Sequence, residues 1–499
     1  METQHGMGSL FPSVQQFTTA SEQRWKPAAA SKILIIPNAK SSGNPRLDDT
    51  VSLLQSEFAA KRLPTENKLP VQYGAIGDAA PGDLVIELAE PPETSNPEGY
   101  TIDIGSFVKI TASGERAVMY GGRTMLQQLL RKGYLPCGKA VDYPAVQERA
   151  LHVDMGRKFF TAEWIVARIK EMSWLKLNAL QLHFSENEGF TLRSDRHPEV
   201  MSPEYLTKEQ VREIVRVAER YHVTLIPSLD SPGHLGYALR NHPDWLLKDT
   251  NGVPAKGALD ITNPHARAFV LDLIDEYAEL FQASPYFHIG GDEFIDFEKF
   301  GAYPQLEAYA RETLGIQGGT GVDTYIDYIN DIADHLERKG FVVRAWNDGL
   351  YRADQTERAA LKSTIQIAYW TKWHRNMARV EAFMDKGHDL LNYNDSYFYY
   401  VLGENAGYKY PKGEKIYDSW HPGVFPRVSE AEGQEYARPY PDALIGCSFA
   451  IWSDKPSAQT EAEVSAGIAE PLRAMAEKSW LAEKRYGSYE EFKSAFTFL

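Results

Sequence analysis

The segment HIGGDEF, residues 288–294, places two carboxylates side by side directly after a pair of glycines. Glycine adopts backbone angles that other residues avoid and lets a chain pass close to a ligand. Gly290-Gly291 can therefore break a strand and present Asp292 and Glu293 to a cleft. Two like charges held this close do not ionise equally easily; one is driven toward its neutral form, which yields an acid and a base within one site. Other apolar runs also end in groups that bind or transfer protons. They end in Asp154 with Arg157, His183 with Glu186, Asp230 followed by His234, Trp346-Asn347-Asp348, Trp370, Asn394-Asp395 and Trp452-Ser453-Asp454. Any one of these could be an ordinary loop residue, but a fold that brings the ends of all the runs to one rim makes them a site.

The elements that would do so are legible as a rhythm. Short runs rich in β-branched residues occupy 149–156, 179–185, 223–230, 286–293, 341–348, 365–370, 388–395 and 444–454. Helical patterns such as KEQVREIVRVAERYH and DTYIDYINDIADHLERKG separate most of them. Eight strands with intervening helices over about 350 residues suit an α/β fold of the (β/α)8 barrel type, whose polar strand ends converge on the C-terminal face. A doubly wound sheet is the alternative, but no G-x-G-x-x-G opens a helix after a strand. Before the barrel, KILIIPN, DLVIELAE, GYTIDIG and FVKITAS read as strands, and GERAVMYGGRTMLQQLLRKG reads as a helix ending at Gly133. The expected organisation is an extension over 1–31, a smaller α+β domain over 32–145 and a barrel over 146–499.

Size and composition agree. A single hydrophobic core stops growing near roughly 250–300 residues, so 499 residues imply at least two domains. A formal charge of −15 repels phosphate and anionic lipid, which disfavours nucleic-acid or membrane-surface partners and favours a neutral substrate. Cys137 and Cys447 are the only cysteines and suggest neither a disulfide framework nor a thiolate metal site. The first residues lack a cationic and then apolar leader, so the chain as given reads as cytoplasmic, or as secreted or periplasmic if a signal has been removed. Oligomeric state is not legible.

The ordered set of segments resembles glycoside hydrolase family 20. It comprises H-x-G-G-D-E at 288–293, the Asp154–Arg157 spacing, LHFSENEGF, SLDSPGH, LDITNP, Trp346-Asn347-Asp348 and IWSD, and the likeness runs from about residue 32 onward. The resemblance implies a β-N-acetylhexosaminidase with substrate-assisted retention, in which the sugar's own 2-acetamido oxygen attacks the anomeric carbon to form an oxazolinium intermediate. Glu293 would be the acid and base, with a pKa nearer neutrality than that of Asp292, which would accept the acetamido N–H. Arg157 and Asp454 would hold the non-reducing sugar hydroxyls, and His234 would support the acid. Trp346, Trp370, Trp420 and Trp452 would wall the acetamido pocket. A tyrosine after the seventh strand would donate to the acetamido oxygen; Tyr400 is assigned, with Tyr399 as the alternative, since a one-residue slip on a strand reverses the side that faces the site.

Glu186 departs from the Asp carried by many relatives, and similar ENEGF segments occur in relatives that release disaccharides, so lacto-N-biosidase-like release is a second expectation. The partner is an oligosaccharide or glycoconjugate, with no cofactor and no metal implied. Strand-end histidines would suit a metal-dependent barrel hydrolase, but the first strand lacks an HxH pair and no HExxH occurs. A non-catalytic glycan-binding protein leaves the retained Asp-Glu pair unexplained.

Overall fold

In a computed structural model, residues 10–64 and 66–496 are described. The first domain is a seven-stranded sheet of β1 (Gln16–Trp25), β2 (Ile33–Ile35), β3 (Val71–Tyr73), β4 (Leu84–Leu88), β5 (Tyr100–Ile104), β6 (Val108–Ala112) and β7 (Leu135–Asp142). Their spatial order is β1-β7-β5-β6-β4-β2-β3. The helix Glu115–Lys132 ends as its sequence demands, on Gly133 in the left-handed region at φ 72.

The sheet begins earlier than residue 32. β1 lies inside the stretch read as an extension and pairs antiparallel with β7. Its residues are almost all exposed, so it carries no apolar alternation by which a strand is recognised. Backbone pairing holds it to the sheet edge, helped by Trp25, which is buried in the core of this domain, and by Phe17 packed against it.

The barrel strands are β8 (Glu148–Asp154), β9 (Ala179–His183), β10 (Thr224–Ser231), β13 (Tyr286–Gly290), β14 (Val342–Trp346), β15 (Gln366–Tyr369), β16 (Leu390–Asn392) and β18 (Leu444–Trp452). A hairpin, β11 (Leu246–Lys248) with β12 (Pro254–Leu259), and a short β17 (Tyr399–Val401) are added outside this set. Every neighbouring pair of barrel strands is parallel, and β16 pairs with β18 to close the ring. All eight expected strands are present. Among the described residues no helix is long and apolar enough to cross a membrane.

The N-terminal end of the barrel is held by buried charge. Arg344 on β14 reaches Glu148 at the start of β8 through two bonds of 2.8 and 2.7 Å. The first domain supplies two further carboxylates: Glu98 to Arg149 at 2.5 Å and Asp142 to Lys176 at 2.8 Å. Paired charge at this end of a barrel bears on stability rather than chemistry. Removing one partner leaves the other charged and dry, which costs about 3–5 kcal/mol. Glu148→Ala should therefore lower the free energy of urea unfolding by about that amount, whereas a shift under 1 kcal/mol would show the pair to be incidental.

Candidate active site

The two glycines of HIGGDEF act as the sequence requires. β13 ends at Gly290, whose φ is 79, and a Cβ there would lie 2.6 Å from an oxygen of Asp230. Gly291 follows at φ 94, and its carbonyl accepts a hydrogen bond from the Tyr325 hydroxyl at 2.5 Å. The chain thus turns sharply off the strand, and Glu293 itself sits at φ 43. Its N–H donates to Asp348 at 3.1 Å, and the other oxygen of Asp348 accepts from the Trp370 indole, also at 3.1 Å. The strained acid residue is held by a carboxylate anchored on a neighbouring strand end.

His234, also in the left-handed region at φ 58, is the hub of the charges. Its Nε2 lies 3.4 Å from Asp292 and 3.5 Å from Glu293, and its Nδ1 lies 3.0 Å from Glu186. Glu186 uses its second oxygen to meet Arg157 at 2.7 Å and His183 at 3.4 Å. Arg157 is also held by Asp154 at 2.9 Å and by Glu188 at 3.2 Å. Glu186 therefore bridges a guanidinium and the histidine that faces both Asp292 and Glu293.

Burial opposes the His234 imidazolium, but the Glu186 and Asp292 carboxylates outweigh it and hold its pKa well above the ordinary value. Burial likewise opposes the ionised Glu186, yet His234 and Arg157 keep its pKa well below the carboxylate range. Glu293 is shifted the other way: burial, reinforced by Asp292, raises its pKa while His234 pulls it down. Burial and the charge of Asp292 push Asp348 up to about 7. A carboxyl able to hold its proton thus stands beside a second carboxyl that faces the His234 imidazolium.

His183, Glu186 and Asp230, and likewise Asp230, His234 and Asp292, have possible ligand atoms within 4.8 Å of one another. Both histidines are held as cations, His183 near 9 because Asp230 and Glu186 outweigh its burial. Arg157 adds a third positive charge. The carboxylates of the cluster thus face three basic side chains.

A cavity of about 340 Å³ opens above these groups, lined by Arg157, Glu186, His234, Asp292, Glu293, Trp370, Trp373, Tyr399, Val401, Ala406, Tyr408, Trp452 and Asp454. Trp370 and Tyr399 stand stacked, 4° from parallel and 5.6 Å apart, and Trp452 is 5.7 Å from Tyr399. Trp346 is buried beneath this wall, 4.3 Å from His288 and 6.1 Å from Trp452 between ring centroids.

Three assignments change. Trp346 lies under the cavity wall rather than lining it. Tyr400 points away from the cavity: its hydroxyl donates to Gln459 at 3.0 Å and its ring stacks on Tyr410 at 4.4 Å. It fits where Gly467 leaves room. Since β17 is extended, the neighbouring Tyr399 faces the cavity instead. Trp420 follows the helix Gly413–Ser419 into the core and packs on Phe398 at 4.5 Å, outside the pocket. Trp373, Tyr408, Ala406 and the Asp348 anchor were not singled out from sequence for these places. The Trp-Asn-Asp segment was the one signal for Asp348, while the others lie in loops without periodicity.

Residues 147–483 match the catalytic domain of glycosyl hydrolase family 20, and residues 9–143 match domain 2 of that family. The chain belongs to glycosyl hydrolase family 20. Curated proteins similar to it include both β-hexosaminidases and a lacto-N-biosidase. The lacto-N-biosidase of Bifidobacterium bifidum is 28% identical over 424 residues, which are 84% of this chain and 36% of that protein. The β-hexosaminidase of Vibrio vulnificus is 23% identical over 510 residues, 85% of this chain and 57% of that one. The chain thus spans between a third and three-fifths of the length of these two curated relatives. In fold it is similar to the β-N-acetylhexosaminidase of Bacteroides fragilis, with a TM-score of 0.74 at 20% identity, covering 98% of this chain and 94% of the other. It is likewise similar to an exo β-N-acetylglucosaminidase of Vibrio harveyi solved with N-acetylglucosamine, with a TM-score of 0.72 at 18% identity, covering 99% and 76%.

Two measurements follow from this family 20 site. Tyr399→Phe should lower kcat by about 10²-fold, the effect of losing one donor to a developing charge, while Tyr400→Phe keeps wild-type rates. The reverse pattern would restore the sequence assignment. Because the His234 cation favours ionised Glu293, His234→Gln should raise the Glu293 pKa further. The alkaline limb of kcat/KM, where the acid loses its proton, then moves to higher pH while the maximum falls; an unmoved limb would show that another group sets it.

Proposed function

We propose that the chain is an exo-acting, retaining β-N-acetylhexosaminidase that removes terminal β-linked N-acetylglucosamine or N-acetylgalactosamine through an oxazolinium intermediate. The observation that carries this reading is the state of Asp292. One of its oxygens faces His234 at 3.4 Å, while Oδ1 is buried with no hydrogen-bond partner in the protein. A buried carboxylate oxygen without a donor is costly, and an acetamido N–H entering the cavity supplies the missing donor.

The steps follow from that contact. With its N–H held by Asp292, the acetamido group turns its carbonyl oxygen toward C1, and Tyr399 donates to that oxygen from the aromatic wall. Glu293, half-exposed to the cavity and with its pKa raised, gives its proton to the glycosidic oxygen as the C1–O bond breaks. The carbonyl oxygen bonds to C1, and the positive charge spread over the oxazolinium ring is stabilised by Asp292. Water then loses a proton to Glu293 and attacks C1 as the ring opens, so two inversions give net retention. The methyl group of the acetamide meets the Trp370–Tyr399–Trp452 wall by apolar contact, and Arg157 and Asp454 hold the sugar hydroxyls. A cavity of about 340 Å³ stands at the small end of ligand pockets, roughly 300–1,000 Å³, which favours one ring at a chain end.

A second reading, release of a disaccharide, is favoured by the 28% identity to the B. bifidum lacto-N-biosidase. Mass analysis of products from aryl β-glycosides of N-acetylglucosamine, N-acetylgalactosamine and lacto-N-biose separates the two. Free N-acetylhexosamine with the β configuration at early times is expected, and lacto-N-biose as the sole product would replace the first reading with the second. Glu293→Gln should lower kcat/KM by about 10²–10⁴-fold on substrates with poor leaving groups; undiminished hydrolysis would remove Glu293 from the acid role.

A further inference from the structure

The loop after β17 concentrates backbone strain at the rim of the cavity. Within five residues, Gly403, Glu404, Ala406 and Gly407 have φ of 75, 50, 52 and 87, and two of the four carry a Cβ. Side chains with a Cβ rarely occupy this region, and where they do the surroundings fix them there. The fixings are present. Glu404 accepts from the Tyr410 N–H at 3.2 Å and from Lys409 at 2.9 Å, and the Gly403 N–H donates to the Tyr410 hydroxyl at 3.0 Å. Further along, the Tyr408 hydroxyl donates to Asp395 at 3.1 Å, on the oxygen that also accepts from Thr371 at 2.9 Å.

This held geometry delivers one side-chain amide to the site. Asn405 Nδ2 donates to Asp454 Oδ2 at 3.1 Å, while Ala406 and Tyr408, which follow it, form part of the cavity wall. Asp454 is only partly buried and follows the last residue of β18 by two positions. Its carboxylate has no other side-chain bond that would set its direction among the hydrogen bonds of the described residues. A neutral amide is suited to this task. It fixes one oxygen of the carboxylate and leaves the charge, and the other oxygen, for a sugar hydroxyl.

We infer that Asn405 is a positioning residue for sugar recognition, which aims Asp454 at the hydroxyls of the non-reducing sugar and so sets the preference between epimers at C4. The inference rests on Asp454 binding those hydroxyls, as proposed above. N-acetylglucosamine and N-acetylgalactosamine differ only in the direction of the 4-hydroxyl. A carboxylate with one fixed oxygen distinguishes these directions, whereas a freely turning one serves both.

Asn405→Ala, Asn405→Asp and Asp454→Ala should be assayed with aryl β-glycosides of both sugars. Asn405→Ala should raise KM about tenfold for the preferred sugar with kcat changed less than about threefold, the pattern of lost uniform binding. The ratio of kcat/KM between the two epimers should move toward one by a similar factor. Asn405→Asp, which sets two carboxylates at hydrogen-bond distance, should raise KM further. A merely structural role would change the melting temperature and leave the epimer ratio in place. If Asp454→Ala is impaired and Asn405→Ala keeps wild-type KM and ratio, the inference falls and the reading of Asp454 stands. If Asp454→Ala is unchanged, both fall. Should Asn405→Ala not fold, the wild-type chain with 4-deoxy glycosides decides: the expected loss is about tenfold or more in kcat/KM, and equal rates on deoxy and parent substrates overturn the inference.

Discussion

Charge neutralisation in a dry space is the constraint on which the rest of this molecule depends. Glu186, Asp230, Asp292, Glu293 and Asp348 crowd the C-terminal mouth of the barrel with Arg157, His183 and His234. Isolated buried charges cost several kcal/mol each, so none of these groups is independent of the others. His234 holds its proton because two carboxylates face it, and Glu186 stays ionised because two cations do. Glu293, at the open side of the cluster, is the one carboxyl both raised in pKa and half-exposed to the cavity. The titration of such a cluster belongs to the set rather than to single residues.

The opposite end of the barrel uses the same physics for a different purpose. Glu148, Glu98 and Asp142 pair with Arg344, Arg149 and Lys176, and Glu98 and Glu148 line a separate cavity of about 270 Å³. Two of these three carboxylates belong to the first domain, and Asp142 also accepts from the Trp480 indole at 2.8 Å. The small domain is thus bound to the barrel through groups that would be uncompensated if it left.

The barrel was legible because each of its strands is a near-continuous apolar run, as sheets covered on both faces require. Asp292, Glu293, Arg157, Glu186, His234 and Asp454 were legible for a related reason, since each follows soon after such a run and the fold fixes where a run ends. Legibility failed where no run points the way. β1 is mostly exposed and polar, so its place in the sheet comes chiefly from backbone pairing with β7. Tyr399 and Tyr400 are distinguished only by which face of a three-residue strand they occupy, a matter of register that composition does not encode. Trp420 was drawn to the pocket by its residue type, whereas the helix before it directs it into the core. Tyr408 and Asn405 reach the rim through a loop whose shape depends on four left-handed residues.

β18 is nine residues long and serves two partners on one side. Its first half pairs with β16 and closes the ring, while its second half runs past the ring and pairs with β17. The part of the pocket wall formed by Tyr399 and Val401 is therefore an annex on a projecting beam, separate from the closure that carries the load of the barrel. Insertions, deletions or recombination between residues 393 and 443 can rebuild the annex without shifting any barrel register. Changes of sugar preference within this lineage should then concentrate in that one segment, leaving the acid machinery on the neighbouring strands untouched.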